Sequence, residues 1–145
     1  MATFEDRTVI ERPIEEVFAF LHDPANDPKW TVGVSEARQM SQGPMGVGTT
    51  VVEVVHFLGR RWELRFEVTE YEPPQKSSIR GSSGPHELAG SYVLEPVNGA
   101  TEFTMVAEMS ARGFLKLIEP IWAPLARRQM RASSRKLKNL LEAEA

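Results

Sequence analysis

Residues 8–30 read TVIERPIEEVFAFLHDPANDPKW and predict a strand that leads directly into a short amphipathic helix. Pro13 stands where the first turn of a helix tolerates a missing N–H group. Apolar side chains then recur at helical spacing and form one face: Ile14, Val17, Phe18 and Leu21. The helix ends at Asp23-Pro24, because a residue before proline avoids the α region. The preceding strand is predicted for residues 4–11.

Farther along the chain, Asn98-Gly99 is the strongest hairpin signal, because both residues tolerate the positive φ angles of a two-residue turn. A loop of this length fixes which residues of the two strands lie opposite each other. It predicts four pairs on one mostly apolar face: Leu94 with Phe103, Tyr92 with Met105, Gly90 with Ala107, and Leu88 with Met109. Another strand is predicted for residues 76–82, after the turn at Pro73-Pro74.

An earlier hairpin is predicted around Leu58-Gly59, and its register is harder to derive. A two-residue loop would require a positive φ angle at Leu58, so a three-residue loop that contains Gly59 is the better fit. This loop length places one set of side chains on the inner face: Val52, Val54, His56, Trp62, Leu64 and Phe66. It places Glu53, Glu63 and Arg65 on the solvated face.

From residue 111 the apolar period becomes helical. The predicted apolar face of this C-terminal helix is broad: Phe114, Leu117, Ile118, Ile121, Trp122, Leu125, Met130, Ser133, Leu137, Leu140 and Leu141. Pro120 and Pro124 predict either a kink or a main helix that begins near one of them. Basic residues occupy the other side and predict a solvated face: Arg127, Arg128, Arg131, Arg135, Lys136 and Lys138.

Composition narrows the class of protein. The 145 residues are 41% hydrophobic and 26% charged, which is typical of one soluble globular domain spanning residues 1–145. A net charge of -3 argues against nucleic acid as a partner. The absence of cysteine excludes disulfides and thiolate chemistry. Neither a signal peptide nor a membrane-spanning apolar run is found in the sequence, so we expect a cytoplasmic protein without integral membrane association.

Three segments resemble a known family: ERPIEEVFAFLHDPANDPKW at 11–30, VTEYEPPQ at 68–75, and EPIWAPLARR with LKNLLE at 119–142. They are similar to the polyketide cyclase/dehydrase-like branch of the START-related, or SRPBCC, superfamily. The resemblance implies an α+β helix-grip fold of order β-α-α-β6-α. In that fold a curved antiparallel sheet wraps around a long C-terminal helix and encloses a cavity. Members of the superfamily bind lipids, sterols, polyketides or hormones, and some cyclise or dehydrate polyketides.

The predicted inner faces supply the candidate ligand-binding residues: His56, Trp62, Phe66, Tyr92, Phe103, Met105, Met109 and Trp122. His56 could orient a ligand carbonyl or transfer a proton, since histidine titrates near neutrality, although a histidine satisfied by a neighbour at a strand end is the plainer interpretation. Tyr92 would add one polar group to an apolar wall, and a core tyrosine is an equally good interpretation. His86 could lie at the mouth of a pocket, although exposure is the favoured interpretation, and Arg80 is expected to be exposed.

Several chemistries find no support in the sequence. The motifs of serine hydrolases, zinc proteases and nucleotide-binding loops are absent. Three scattered histidines do not form a metal site, and no cofactor is expected. The predicted registers place no paired carboxylates on the inner face, which argues against a mechanism with two carboxylates.

These observations leave three functional hypotheses. The first is a protein that binds a small hydrophobic or amphipathic molecule between the sheet and the C-terminal helix. The second is a cyclase or dehydratase that uses His56 and Tyr92 for proton transfer, with no catalytic residue assigned from the sequence. The third is an adaptor that uses the basic face of the last helix. Monomer and homodimer are both compatible with the sequence.

Overall fold

A curved antiparallel sheet of seven strands forms the main layer of the computed structural model, which describes residues 2–143. The strands are β1 (Ala2–Ile10), β2 (Val34–Gln39), β3 (Thr50–Phe57), β4 (Arg60–Glu72), β5 (Lys76–Ser83), β6 (His86–Val97) and β7 (Ala100–Ser110). They lie in the order β1-β7-β6-β5-β4-β3-β2. Each strand from β2 to β7 therefore pairs with its neighbour in sequence, and β1 closes the far edge against β7.

The helices between β1 and β2 follow the pattern that the sequence predicts. Helix α1 (Ile14–Leu21) begins after Pro13, and Glu15 and Glu16 occupy its first turn, where negative charge is favoured. A 3-10 turn (Pro24–Asn26) and the short helix α2 (Asp27–Trp30) come next. The break at Asp23-Pro24 is thus confirmed, and it directs α2 back over the sheet.

The C-terminal region contains the short helix α3 (Phe114–Leu117) and the long helix α4 (Glu119–Ala143). Pro120 lies in the first turn of α4, and Pro124 lies inside the helix. The inward side of α4 buries Trp122, Leu137 and Leu141. Complete burial of one such side chain is worth about 1.5–3 kcal/mol, so this face holds the helix against the sheet.

The apolar face predicted for the start of this region is wrong in part. Phe114 is 72% exposed, Leu117 is 79% exposed and Ile121 is 66% exposed. Trp122 occupies the inward position instead, and its Nε1 donates a hydrogen bond to the Leu115 carbonyl at 2.7 Å. The helical period was predicted correctly, but the side of the helix that meets the sheet is narrower than the apolar stripe.

The register of the second hairpin is confirmed. Asn98 and Gly99 have φ angles of 50° and 85°, and all four predicted inward pairs lie opposite each other in β6 and β7. The positive φ angles are those that a two-residue turn of this type requires. The inner face of this hairpin therefore carries Leu88, Tyr92 and Met105.

The register predicted for the first hairpin is wrong by one residue. Leu58 and Gly59 both have positive φ angles, of 56° and 70°, and form a two-residue loop in which Phe57 lies opposite Arg60. A shift of one residue moves every side chain of a strand to the other face. Glu53 consequently lies opposite Leu64 on the inner face.

The buried core has two parts. One lies where α1, α2 and the end of α4 meet the sheet, and it contains Ile10, Val17, Phe18, Leu21, Trp30, Leu94, Phe103, Leu137 and Leu141. The other lies under the start of α4 and contains Ala2, Phe4, Ala111, Trp122 and Ala123. Between them, the inner face of the sheet is not filled by side chains.

Candidate functional site

A cavity lies between the inner face of the sheet and the helices, and in the described part of the chain it has two adjoining compartments. The first has a volume of about 230 Å³ and is lined by Leu21, Asp27, Phe66, Ile79 and Ala107, among others. The second, beside α4, has a volume of about 270 Å³, and its lining includes Trp30, Val55, Trp62, Trp122 and Met130. Taken together they reach the range of small-molecule sites, about 300–1,000 Å³.

Six residues line both compartments: Glu53, Leu64, Leu88, Tyr92, Met105 and Met109. They come from β3, β4, β6 and β7, so the boundary between the compartments is built by the middle of the sheet. Four of the six are apolar, and the two methionines are side chains that adapt to ligand shape. Glu53 and Tyr92 are the polar exceptions.

Most of the predicted ligand-binding residues line this cavity. Phe66 faces the first compartment, and Trp62 and Trp122 face the second. Tyr92, Met105 and Met109 face both, as described above. Their contact with a ligand stays a prediction.

Two of the predicted residues lie elsewhere. His56 is exposed on the outer face, where its Nε2 lies 3.1 Å from the hydroxyl of Ser35, so its predicted position in the cavity is wrong. The cause is the two-residue loop at Leu58-Gly59, which reverses the faces of β3. Phe103 points inward as predicted but is completely buried in the core, where its ring packs 5.3 Å from that of Tyr92.

His86 is the opposite case, because exposure was the favoured interpretation and a position at the mouth of the pocket the alternative. It is half-buried, lines the second compartment, and its ring lies 5.9 Å from that of Trp62. Its Nδ1 accepts a hydrogen bond from the Arg112 backbone at 3.1 Å. Arg80 is exposed, as predicted.

The main polar feature of the cavity is a pair of carboxyl groups. Asp27 is the first residue of α2 and Glu53 lies in the middle of β3, and their side chains hydrogen-bond to each other. Ionised carboxylates can only accept hydrogen bonds, so this contact requires a proton on one of the two. The prediction that the inner face carries no paired carboxylates is therefore wrong.

The surroundings of the pair keep that proton in place. Burial, followed by the hydrogen bond to Glu53 and the negative charges of Glu53 and Asp23, raises the pKa of Asp27 to about 10. Burial also raises the pKa of Glu53 above its ordinary value, although the hydrogen bond from Asp27 opposes this shift. Two acidic groups in contact cannot both ionise in a dry site. Asp27 holds the proton and Glu53 is the first of the two to ionise.

Tyr92 stands beside this pair. Its pKa is raised well above the ordinary value, first by burial and then by the negative charges of Asp27 and Glu53. The hydroxyl therefore stays protonated and can both donate and accept a hydrogen bond. The rings of His22 and Trp30 each lie 6.1 Å from the Tyr92 ring and fix its orientation.

His22 completes the polar side of the first compartment. Its Nδ1 lies 2.7 Å from the Phe18 carbonyl, which can only accept, so Nδ1 carries the hydrogen. Its Nε2 lies 2.6 Å from the Ser77 hydroxyl and accepts a hydrogen bond from it. Burial lowers the pKa of His22, with the Phe18 contact opposing. The imidazole is therefore a neutral and firmly oriented group.

Asp27, Glu53 and His22 line the cavity and are absent from the binding residues that the sequence predicts. One signal for Glu53 was available, because it is the only charged residue in the strand sequence VVEVV at 51–55. Asp27 gave no such signal, since an acidic residue at a helix start is common. Among residues 2–143, no group of three or more acidic or histidine side chains is close enough to hold a metal ion.

The chain matches the family model described as "Polyketide cyclase / dehydrase and lipid transport" over residues 1–142. No curated protein sequence gives a significant match. Among solved structures, the protein TTHA0849 from Thermus thermophilus is similar, with 14% identity, a TM-score of 0.84 and coverage of 99% of each chain. A START superfamily protein from Mycobacterium smegmatis has 10% identity, a TM-score of 0.78 and coverage of 99% of each chain.

The Zhui aromatase/cyclase from Streptomyces sp. R1128 is also similar, with 12% identity and a TM-score of 0.78, over 97% of this chain and 93% of its own. At these identities the likeness shows the fold alone. The architecture is the helix-grip fold of START-like proteins. The chain belongs to the polyketide cyclase/dehydrase and lipid transport family.

None of the helices in residues 2–143 has the length and apolar character that crossing a membrane requires.

Proposed function

We propose that this protein binds a small hydrophobic or amphipathic molecule in the cavity between its sheet and helix α4. The observation that carries the proposal is the cavity itself, whose walls are mostly apolar and carry few polar groups. Ligand sites combine such walls with a small number of placed polar side chains that fix orientation. Tyr92 and the Asp27–Glu53 pair have this position here.

A fluorescent apolar probe tests the proposal directly. A neutral naphthalene dye should gain fluorescence with the wild-type protein and saturate at one site per chain. Ala107 faces the first compartment, and Ala107→Phe should fill it and weaken binding. Thr104→Phe places the same ring on the outer face of β7 and should leave binding unchanged.

Two results would contradict this proposal. If no neutral or charged apolar probe binds to the folded wild-type protein, the cavity does not admit ligands. If Ala107→Phe and Thr104→Phe bind the probe equally well, the probe occupies another surface. Overpacking costs about 1–3 kcal/mol, so a thermal melt of both variants accompanies the titration.

A second function, a cyclase or dehydratase acting on a polyketide-like substrate, is favoured by one specific observation. The Asp27–Glu53 pair combines a protonated acid with a group that can ionise, beside the Tyr92 hydroxyl. In a dehydration, Glu53 would take a proton from carbon while Asp27 protonates the departing hydroxyl, which leaves as water. General acid–base catalysis of this kind is worth about 10²–10⁴-fold. In this hypothesis the carboxyl pair has the proton-transfer role that the sequence suggests for His56.

The enzyme hypothesis is tested by mass spectrometry with a linear poly-β-carbonyl thioester. Turnover would appear as a product that has lost water, and Asp27→Asn would slow it by about 10²-fold or more, because asparagine cannot supply the proton. Glu67→Gln, on the outer face of β4, serves as the control. A rate equal to that of the protein-free reaction would contradict catalysis and leave the binding function intact.

A further inference from the structure

The Asp27–Glu53 pair places two carboxyl groups on the wall of the cavity. One proton is enough for the hydrogen bond between the two carboxyl groups, and the second carboxyl can then remain ionised. Both residues line the first compartment, and Glu53 also lines the second. A buried charge is costly unless a charge of opposite sign pairs with it.

Within the described residues, the cavity supplies no such partner. Neither compartment is lined by a lysine or arginine side chain. The titratable groups that face the pair are Tyr92 from β6, His22 from the end of α1, and Asp23 from the following turn. Tyr92 and His22 are neutral, and Asp23 adds negative charge. A cation that pairs with Glu53 would therefore come with the ligand that enters the cavity.

We propose that the ligand is a hydrophobic compound that carries a protonated amine, and that the Asp27–Glu53 pair receives its ammonium group. This inference rests on the proposed binding function and names the chemical class of the ligand. An ammonium has three donors, and Glu53, Asp27 and the Tyr92 hydroxyl offer oxygen acceptors on the cavity wall. The apolar remainder of the ligand lies against the methionine and leucine walls of the two compartments.

The same arrangement selects against other amphipathic molecules. A fatty acid would place a second negative charge beside Glu53, which disfavours binding or forces a proton onto one of the acids. An alcohol of equal length would fill the same apolar space without neutralising the charge. The head group, rather than the tail, therefore decides the order of affinity.

Octylamine, octanol and octanoate test this order, because they share one tail and differ only in the head group. With the wild-type protein at about pH 7, calorimetric titration should show octylamine binding at least about tenfold more tightly than octanol, the gain expected of hydrogen bonds to a charged group. Octanoate should bind more weakly than octanol. Equal affinity for amine and alcohol, or tighter binding of octanoate, would overturn the inference.

Substitutions of the pair sharpen the test. The double change Asp27→Asn with Glu53→Gln removes the charge while keeping a hydrogen bond, and should bring octylamine within about threefold of octanol. Glu67→Gln removes a negative charge from the outer face and should change nothing.

Failure of this inference is distinguishable from failure of the proposed function. If octanol binds to the wild type and to the double variant alike, the cavity admits ligands and the double variant is folded. An amine preference that persists in the double variant then contradicts the role of the pair. If octanol and the apolar dyes all fail to bind to folded wild-type protein, the binding function itself is wrong.

Discussion

Replacement of Asp27 by asparagine should remove a pH dependence of folding that the wild-type protein has at mildly alkaline pH. The folded state keeps a proton on Asp27, whose pKa is raised to about 10, whereas the unfolded chain loses that proton near the ordinary value of 3.8. A raised pKa contributes stability that is present below the unfolded value and is lost as pH rises through the folded value. The free energy of unfolding should therefore fall as pH rises.

The size of this fall in the free energy of unfolding follows from the one proton that Asp27 retains in the folded state. Each pH unit between the two pKa values weakens folding by about 1.4 kcal/mol per retained proton, so the loss between about pH 7 and pH 9 is about 2–3 kcal/mol. This window avoids His22, whose pKa is lowered from 6.5, and Tyr92, whose pKa is raised from 10.0. Neither group changes its charge between the folded and unfolded states there.

Urea denaturation, followed by tryptophan fluorescence at several pH values in this window, measures the slope. Asp27→Asn keeps the hydrogen bond to Glu53 and should make the unfolding free energy flat with pH to within about 0.5 kcal/mol. Glu67→Gln, an exposed position on the outer face of β4, should keep the wild-type slope. A wild-type slope of zero or of opposite sign, or an unchanged slope in Asp27→Asn, would refute the buried, protonated pair.

Other substitutions test the packing that surrounds the cavity. Trp122→Ala should destabilise the fold by about 3–5 kcal/mol, because this side chain is buried under α4, whereas Leu117→Ala at an exposed site should change stability by less than about 0.5 kcal/mol; urea denaturation compares the two. Leu58→Asn should raise the unfolding free energy by about 1 kcal/mol, and the melting temperature with it, since asparagine tolerates the φ angle of 56° better than leucine. Thr101→Val should cost about 1–3 kcal/mol, because the completely buried Thr101 hydroxyl donates to the Arg12 carbonyl at 2.8 Å; a cost near zero would show that the hydrogen bond is replaceable.

The two hairpins show how far local sequence determines register. Asn98-Gly99 matches the turn that its strands require, so turn chemistry alone predicted four inward pairs of β6 and β7. At Leu58-Gly59 the same turn type places a leucine at a positive φ angle, against its local preference. The pairing of β3 with β4 overrides that preference. The predicted register therefore differs from the observed one by one residue. This error placed Glu53 on the outer face and made His56 a candidate for the inner face.

The remaining parts of the site depend on contacts between segments that are distant in sequence. Asp27 meets Glu53 because α2 folds back over the sheet, and no periodic pattern in either segment encodes that approach. The apolar lining was easier to predict, since alternation along β4, β6 and β7 places Phe66, Tyr92 and Met105 on one face. Sequence patterns thus predicted much of the apolar wall of the cavity, whereas its pair of carboxyl groups required the three-dimensional structure.

Native mass spectrometry of the protein purified from cells, followed by solvent extraction of any bound compound, tests the central claim most directly. We expect one hydrophobic molecule per chain, released by solvent, carrying a basic nitrogen, and depleted in the Ala107→Phe variant. Bare wild-type protein that also fails to bind added octanol or octylamine would contradict the claim that the cavity is a ligand site. A bound fatty acid would contradict the amine selectivity and leave the hydrophobic site in place.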